Sequence, residues 1–322
     1  MLCLSRTGSG YRINGRFIFL TDFKHLSVRD LAWAIRSPPL IAGVSHHCAW
    51  PDYHWYRRMY EDARSWLLTV DADPSELDEL LDAQKDRRLG KYFETLWYFW
   101  LSHSPDYEVV EKNVQIIIEG ETLGEIDFIL FDKTTNKTLH WEVAVKFYLG
   151  VDDTRVMHNW HGPNLRDRLD IKVAHLMQRQ SVIGEDQRVA HWLKQRGIHI
   201  DQCAVILKGR LYFPWSLARC GDVIDTVLPS ECARELSYGY WLKQSEFDQA
   251  FDGKPQFEPL INKGWLERIP TEMANKSYSK MDRCKTVSNK IMRLPLHVQV
   301  YNPCCTKDRV FLVDENWPLK NS

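Results

Sequence analysis

The sequence lacks the features that would assign it to several large classes of protein. No apolar run approaches the roughly 18 residues that a membrane-spanning helix needs. The first residues contain no apolar core followed by a small-residue cleavage site. We therefore expect neither a membrane span nor secretion. No internal repeat or low-complexity tract is present, so neither a repeat architecture nor a long disordered segment is expected.

An excess of positive charge is also lacking, because the formal net charge is -1. This balance argues against a protein whose whole surface is basic. It leaves open a local basic groove that binds nucleic acid, since phosphates are attracted by local charge even where the net charge is close to zero.

The cysteines lack the spacing of a metal-binding motif. None forms a C-x-x-C pair, and the adjacent Cys304 and Cys305 are poorly placed for one tetrahedral site. We therefore predict free, buried thiols in the reducing environment of the cytoplasm. This prediction covers all eight cysteines: Cys3, Cys48, Cys203, Cys220, Cys232, Cys284, Cys304 and Cys305.

The composition that is present is that of a soluble globular protein. The chain has 322 residues, of which 44% are hydrophobic and 26% charged, which is enough for one large domain. No linker divides the chain. We predict an N-terminal extension over residues 1–25 and a single α/β domain over 26–322, with its core at about residues 87–215.

Helical patterns dominate the first hundred residues. Apolar positions at helical spacing predict helices over 26–41, 54–70, 71–84 and 87–103. The first helix is ended by Pro38 and Pro39, because the residue before a proline is disfavoured in the helical region. Asp73 or Ser75 is expected to cap the third helix.

Strand patterns follow the fourth helix. We predict strands over 107–120, 125–132 and 138–147, with a hairpin loop between the last two. A helix over 165–180, capped by Asn164, comes next. The rest of the chain is expected to contain strands over 203–209 and 210–215, helices near 235–250, and a hairpin from 296–301 to 309–314. The expected fold is therefore a helix–strand–strand–strand–helix–strand core with additions at both ends.

Charged residues interrupt two of these apolar strands. Alternation along a strand places Glu142 and Lys146 on one face, and Asp127 on the preceding strand can lie beside Glu142. Two carboxylates so placed repel each other unless a cation lies between them. The alternatives are a salt-bridged core and a metal site, and Mg²⁺ or Mn²⁺ suits a site rich in carboxylate oxygens.

The fourth predicted helix adds a third carboxylate. Glu94 lies beside the apolar face of that helix, and an ordinary surface pair with Lys91 across one turn explains it as well. Taken singly, each acidic residue is more often structural than catalytic. Their order along a helix and two strands favours the metal site.

The chain resembles the PD-(D/E)XK nuclease superfamily. In that superfamily a helix with an acidic residue precedes a hairpin with Asp on one strand and Glu-x-Lys on the next, and Glu94, Asp127 and Glu142 match in order. The chain also resembles a bacterial domain-of-unknown-function family assigned to that superfamily. This likeness runs from RDLAWAIRSPPL (29–40) to FLVDENWP (311–318). It implies a restriction-endonuclease-like fold, with a mixed sheet flanked by helices.

The resemblance also implies an activity, the hydrolysis of phosphodiester bonds in DNA or RNA. Asp127 and Glu142 would hold Mg²⁺ or Mn²⁺, and Glu94 would join them or orient the attacking water. Ala144 stands where the motif places its lysine. We expect Lys146, two residues further on, to lean back along the strand and stabilise the developing charge. Lys172 on the following helix is a possible substitute.

A basic stripe follows on the helix predicted over 165–180. Arg168, Lys172, His175 and Arg179 recur at intervals of four, three and four residues. We predict that Arg168, Lys172 and Arg179 contact nucleic-acid phosphates, although an ordinary solvated face explains the stripe almost as well. Two further functions stay open: a nucleic-acid-binding module that has lost turnover, and a structural protein with a buried ion network.

Overall fold

The computed structural model describes residues 5–7, 10–13, 16–18, 23–42, 48–180, 183–219, 226–251, 256–260, 264–267, 295–301 and 309–318. Four helices precede the main sheet: α1 (Leu26–Arg36), α2 (Tyr53–Ala72), α3 (Ser75–Ala83) and α4 (Leu89–His103). They confirm the four predicted helices. Over the described residues, no helix is long and apolar enough to cross a membrane.

The strands form two sheets. A small sheet contains β1 (Ser5–Thr7), β2 (Gly10–Ile13) and β3 (Arg16–Ile18). The strands of the large sheet are β4 (Tyr107–Ile118), β5 (Glu121–Asp132), β6 (Lys137–Gly150), β7 (Trp160–His161), β8 (Gln202–Pro214), β9 (Tyr238–Lys243), β10 (Gln256–Pro259), β11 (Leu296–Tyr301) and β12 (Arg309–Val313).

The large sheet is mixed. Its order is β10-β11-β12-β9-β8-β6-β5-β4, and the short strand β7 pairs with β6. Neighbours β4, β5 and β6 are antiparallel, whereas β6, β8 and β9 are parallel, as are β9 and β12. The crossover from β6 to β8 carries α5 (Leu169–His175) and α6 (Gln187–Gln195). A single helical turn, α7 (Phe247–Ala250), follows β9. A mixed sheet flanked by helices is confirmed, and the predicted order of helix, three strands, helix and strand is present with two additions in the crossover, the short strand β7 and the second helix α6.

Strand β6 separates two packed layers. Its odd-numbered side chains from Trp141 to Leu149 pack in the core that contains α1 to α4. Tyr148 packs instead with three residues of α5 and the turn after it: Leu169, Val173 and Leu176. Glu142 and Lys146 alternate with the first set and bond to groups on the α5 side. The predicted division of the two faces is confirmed, and the charged residues lie between the sheet and α5.

The predicted helix over 165–180 differs in the structure. It begins at Leu169 with Arg168 as the N-cap residue, because Leu165 has a φ of 58° and turns the chain out of a helical path. Asn164 therefore does not cap it. The helix ends at His175, and a π-helical turn from Leu176 to Gln180 follows.

The segments after α6 also differ from the prediction. The two strands predicted over 203–215 form one continuous strand, β8, with Gly209 at a φ of 150°. A Cβ at Gly209 would collide with the backbone carbonyl oxygen of Lys146, so the two strands approach closely there. Strand β9 occupies residues 238–243 of the region near 235–250 where helices were predicted, because its backbone is paired on both sides, with β8 and β12. Only the last four residues of that region form an α-helix, α7.

The cysteines require a correction. Cys48 and Cys203 form a disulfide across 155 positions of sequence, so the prediction of free thiols is wrong for this pair. The pairing follows from a parallel bridge between their neighbours Ala49 and Ala204, which sequence spacing does not reveal. Cys232 is free and buried, as predicted. The other five cysteines, Cys3, Cys220, Cys284, Cys304 and Cys305, lie outside the described residues.

Candidate active site

The candidate site lies where the ladder between β5 and β6 ends. The last registered pair is Phe128 with Trp141, so Asp127 and Glu142 occupy the next position on the two strands. The ladder does not continue there. Instead, the backbone N–H of Val143 donates to Oδ2 of Asp127 at 2.9 Å. A carboxylate thus replaces a backbone acceptor, and the end of the ladder brings the two acidic residues together.

Glu142 is held at both carboxylate oxygens. Its exposed fraction is only 1%. Nε2 of His140, also on β6, lies 2.7 Å from Oε1, and since a carboxylate only accepts, this ring nitrogen donates. Nε2 of Gln180 donates to Oε2 at 2.6 Å. Both donors fix the orientation of Glu142 and satisfy a charge that would be costly to bury alone.

Glu94 approaches from α4. Nζ of Lys91 donates to Oε2 of Glu94 at 2.6 Å, to Oδ1 of Asn113 at 3.1 Å and to Oε1 of Glu125 at 3.4 Å. The predicted surface pair of Glu94 and Lys91 therefore exists. The charge of Glu94 acts on Asp127, so this pair lies near the strand carboxylates. The ordinary pairing and the acidic cluster are both present.

The carboxylates of Glu94, Asp127 and Glu142 repel one another when they are ionised. Burial raises the pKa of Asp127 well above its usual range, and the neighbouring charge of Glu142 raises that pKa further. Burial also raises the pKa of Glu94, although its bond with Lys91 opposes this shift. These carboxylates are therefore under-compensated by the cations around them. Such perturbed groups are common at functional sites.

The ammonium group of Lys146 does not lean back toward Glu142. Its Nζ lies 2.5 Å from Oδ2 of Asp167, in the loop before α5. The other oxygen of Asp167 accepts from the backbone N–H of Arg168 at 3.0 Å and from the hydroxyl of Tyr148 at 3.4 Å. Lys146 is thus paired with a carboxylate that the sequence did not single out.

Lys172, on α5, faces the carboxylates. Its Nζ donates to Oε1 of Gln180 at 2.8 Å, and Nδ1 of His175 donates to the same oxygen at 3.0 Å. Gln180 therefore joins Lys172 to Glu142. Burial lowers the pKa of Lys172, the charge of Lys146 lowers it further, and the charges of Glu142 and Asp127 oppose that shift.

The structure thus places Glu94, Asp127 and Glu142 close enough for their charges to act on one another. The charges of Asp127 and Glu142 also act on Lys172, whereas Lys146 is bound to Asp167. Sequence reasoning missed Gln180, Asp167 and His140. His140 had a signal, because it lies two residues before Glu142 on the same strand face. Gln180 had none, since its position depends on the π-helical turn. Asp167 looked like an ordinary loop residue.

The basic stripe is not a continuous row. Arg168 forms an ion pair with Asp170, with Nε 2.6 Å from Oδ1. Lys172 turns toward the carboxylates, and Arg179 is exposed on the π-helical turn. The predicted phosphate contacts of these three residues stay a prediction.

The donor set suits a hard divalent cation. The candidate ligands are carboxylate oxygens, and Oδ1 of Asp127 accepts no hydrogen bond from the residues described. A cation there would relieve the repulsion that raises the pKa of Asp127. As the side chains stand, no three His, Cys, Asp or Glu residues in the described ranges are grouped closely enough to hold an ion. The chemistry fits, and Glu94 would have to turn from Lys91 to complete a coordination shell.

Comparisons with known proteins give one match. The model of a family described as "Domain of unknown function (DUF1853)" matches residues 29–313. No curated protein and no solved structure matches the chain. The matched range contains every residue of the candidate site. The match carries no link to the PD-(D/E)XK superfamily, so that relationship stays a prediction.

Proposed function

The chain belongs to the family described as Domain of unknown function (DUF1853), and we propose that it is a metal-dependent nuclease that hydrolyses phosphodiester bonds in DNA or RNA. The observation that carries this proposal is the convergence of Glu94, Asp127 and Glu142 at the end of the β5–β6 ladder, where burial and mutual repulsion raise the pKa of Asp127.

The charge balance of the site supports the proposal. In ionised form its carboxylates outnumber its ammonium groups by two, which is the charge of one divalent cation. The carboxylates are those of Glu94, Glu125, Asp127, Glu142 and Asp167, and the ammonium groups are those of Lys91, Lys146 and Lys172.

The topology gives independent support for the superfamily resemblance. An antiparallel meander of three strands follows α4, and a crossover through α5 leads to a strand parallel to the third. The acidic residues stand on the helix and strands that the resemblance requires, in the same order. We therefore propose a restriction-endonuclease-like core for this part of the chain.

The proposed roles follow from the contacts. Asp127, Glu142 and Glu94 would hold Mg²⁺ or Mn²⁺. When bound, such an ion would lower the pKa of water and neutralise charge on the phosphate. His140 and Gln180 keep Glu142 oriented, and Lys91 sets the position of Glu94. Arg168, Lys172 and Arg179 would contact the phosphate backbone and hold the substrate in register.

One observation favours a second function. The carboxylates are not grouped as a ready metal site among the described residues, and Lys146 is engaged by Asp167. Both features suit a catalytically inactive nucleic-acid-binding module on the same scaffold. This function requires binding of DNA or RNA without turnover.

A cleavage assay separates the two functions. Labelled single- and double-stranded DNA and RNA would be incubated with the protein and Mg²⁺ or Mn²⁺, with EDTA as a blank. We expect cleavage that is lost in Asp127→Asn and in Glu142→Gln and kept in Asp62→Asn, a control at an exposed carboxylate on α2. Binding of nucleic acid without cleavage under every condition would favour the inactive module. A protein that neither binds nor cleaves nucleic acid would exclude both functions.

A further inference from the structure

Two of the three lysines of the site, Lys146 and Lys172, have different surroundings. Lys146, on β6, is the lysine that the sequence motif favours, but its ammonium group binds Asp167 at 2.5 Å. Asp167 is itself fixed by the backbone N–H of Arg168 and the hydroxyl of Tyr148. A carboxylate with three donors is a stable partner, so Lys146 must break a charge-assisted bond before it can act elsewhere.

Lys172 has no carboxylate partner within bonding distance among the described residues. Its ammonium group bonds to the neutral amide oxygen of Gln180, and the charges of Glu142 and Asp127 act on it from close by. An amide oxygen is easier to replace than a carboxylate, because the bond to a neutral acceptor is the weaker of the two. Lys172 therefore keeps its charge available on the carboxylate side of the site.

The π-helical turn accounts for this position. Residues eight apart on a regular α-helix lie about 12 Å apart along the axis, yet Lys172 and Gln180 are hydrogen-bonded. Gln180 is the last residue of the π-helical turn that begins at Leu176, and from there it bonds to both Lys172 and Glu142. Turns of this kind inside helices are frequent at functional sites.

We propose that Lys172 is the lysine that contacts the reacting phosphodiester group, and that Gln180 is the positioning residue that aims it beside Glu142. This inference rests on the proposed nuclease function. It assigns to α5 the role that the strand motif assigns to a lysine two residues after the glutamate, a place held here by Ala144.

The chemistry asked of Lys172 is electrostatic. In hydrolysis an oxygen of water bonds to phosphorus, one P–O bond to a sugar oxygen breaks, a water proton passes to solvent base, and the leaving oxygen receives a proton from solvent. Lys172 keeps its own protons throughout. It donates hydrogen bonds to a non-bridging phosphate oxygen, where negative charge increases in the transition state.

Kinetic comparison of the two lysines tests the assignment. On the nucleic acid that the wild-type protein cleaves, Lys172→Gln should lower kcat by about 10²- to 10³-fold, and Lys146→Gln by a smaller factor. Lys172→Arg should recover part of the loss, because it keeps the charge. Lys194→Gln, at an exposed position on α6, is the matched control and should behave as wild type.

Two readouts distinguish positioning from general damage. The dissociation constant for Mn²⁺, measured by titration calorimetry, should stay within a few-fold of the wild-type value in Lys172→Gln. Gln180→Leu should lower kcat more than it raises KM, and its effect should be smaller when Lys172 is already Gln, because the part of the effect that acts through Lys172 is then already lost.

The outcomes are separable. A Lys172→Gln protein that is folded and has the wild-type kcat would overturn the inference, as would a Lys146→Gln protein that loses as much activity or more. If Lys172→Gln does not fold, Lys172→Met takes its place, because it also removes the charge, and an unchanged kcat in that variant would overturn the inference in the same way. A wild-type protein inert on every nucleic acid would instead overturn the nuclease function itself, and this inference with it.

Discussion

Replacement of Asp30 by Asn should make the protein more stable at neutral pH and leave its stability at pH 4 unchanged. Asp30 lies on α1 with none of its surface exposed. The hydroxyl of Tyr92 donates to its Oδ2 at 2.9 Å, and the backbone N–H of Glu267 donates to its Oδ1 at 3.1 Å. Burial outweighs these bonds and raises the pKa of Asp30 to about 6.

The sign follows from proton linkage. Because the pKa of Asp30 is higher in the folded than in the unfolded protein, the protonated carboxyl of Asp30 favours folding. This contribution is complete below the ordinary pKa of 3.8 and is lost as the pH rises through about 6. At 1.36 kcal/mol per pKa unit, the loss is about 3 kcal/mol. Asn cannot ionise, and its amide can still accept from Glu267 and donate to the oxygen of Tyr92. The variant therefore avoids this loss.

Denaturant unfolding at several pH values, followed by tryptophan fluorescence, measures the effect. The free energy of unfolding of Asp30→Asn should exceed that of the wild type by up to about 3 kcal/mol at pH 7.5, and the difference should vanish near pH 4. Two results would refute this reasoning. One is a difference in the free energy of unfolding between Asp30→Asn and wild type that does not change with pH, and the other is a difference that favours the variant less at pH 7.5 than at pH 4.

Asp71 provides a control of opposite sign. Backbone N–H groups of Lys24 and His25 donate to its carboxylate, and although burial opposes them, these bonds lower the pKa of Asp71. Its stabilising contribution is therefore present above the ordinary pKa and is lost as the pH falls through the folded value. Asp71→Asn should destabilise the protein at pH 7.5, by an amount that shrinks as the pH falls.

Four other predictions concern the candidate site and the sheet beside it. Asp127→Asn should raise the unfolding temperature above pH 7, because it removes a repelled carboxylate. Mg²⁺ at 100 times its Kd should stabilise the wild type by about 2.7 kcal/mol and this variant by less, as thermal unfolding would show. Replacing Arg168, Lys172 and Arg179 together by Gln should weaken nucleic-acid binding and flatten its dependence on salt; an unchanged slope in a binding titration would assign them to ordinary solvation. Gly209→Ala should cost about 1–3 kcal/mol in denaturant unfolding, since the new Cβ meets the carbonyl oxygen of Lys146.

Local periodicity was sufficient to predict the elements that carry the site. The period of two along β6 placed Glu142 and Lys146 on one face, and helical spacing in α4 placed Glu94 beside a buried face. Both patterns depend on neighbours in sequence, so they are readable without coordinates. The meeting of Asp127 with Glu142 followed from the hairpin that joins their strands.

The features that sequence did not reveal depend on distant partners. Gln180 bonds to Glu142 from the π-helical turn that follows His175, and no pattern of residues in the sequence predicts that turn. The disulfide of Cys48 and Cys203 joins segments 155 positions apart. Three of the six residues of β9 are aromatic, and its strand conformation depends on pairing with β8 and β12, which are distant in sequence.

The place of β12 in the sheet has a consequence for how the chain folds during its synthesis. β12 lies between β9 and β11, although it is made after both of them. Until its residues emerge from the ribosome, β9 presents an open edge and β11 has no partner on that side, a delay of several seconds at roughly 5–20 residues per second. An unpaired edge attracts other chains. We therefore expect fragments that end before Arg309 to aggregate during expression, even when they include every residue of the candidate site.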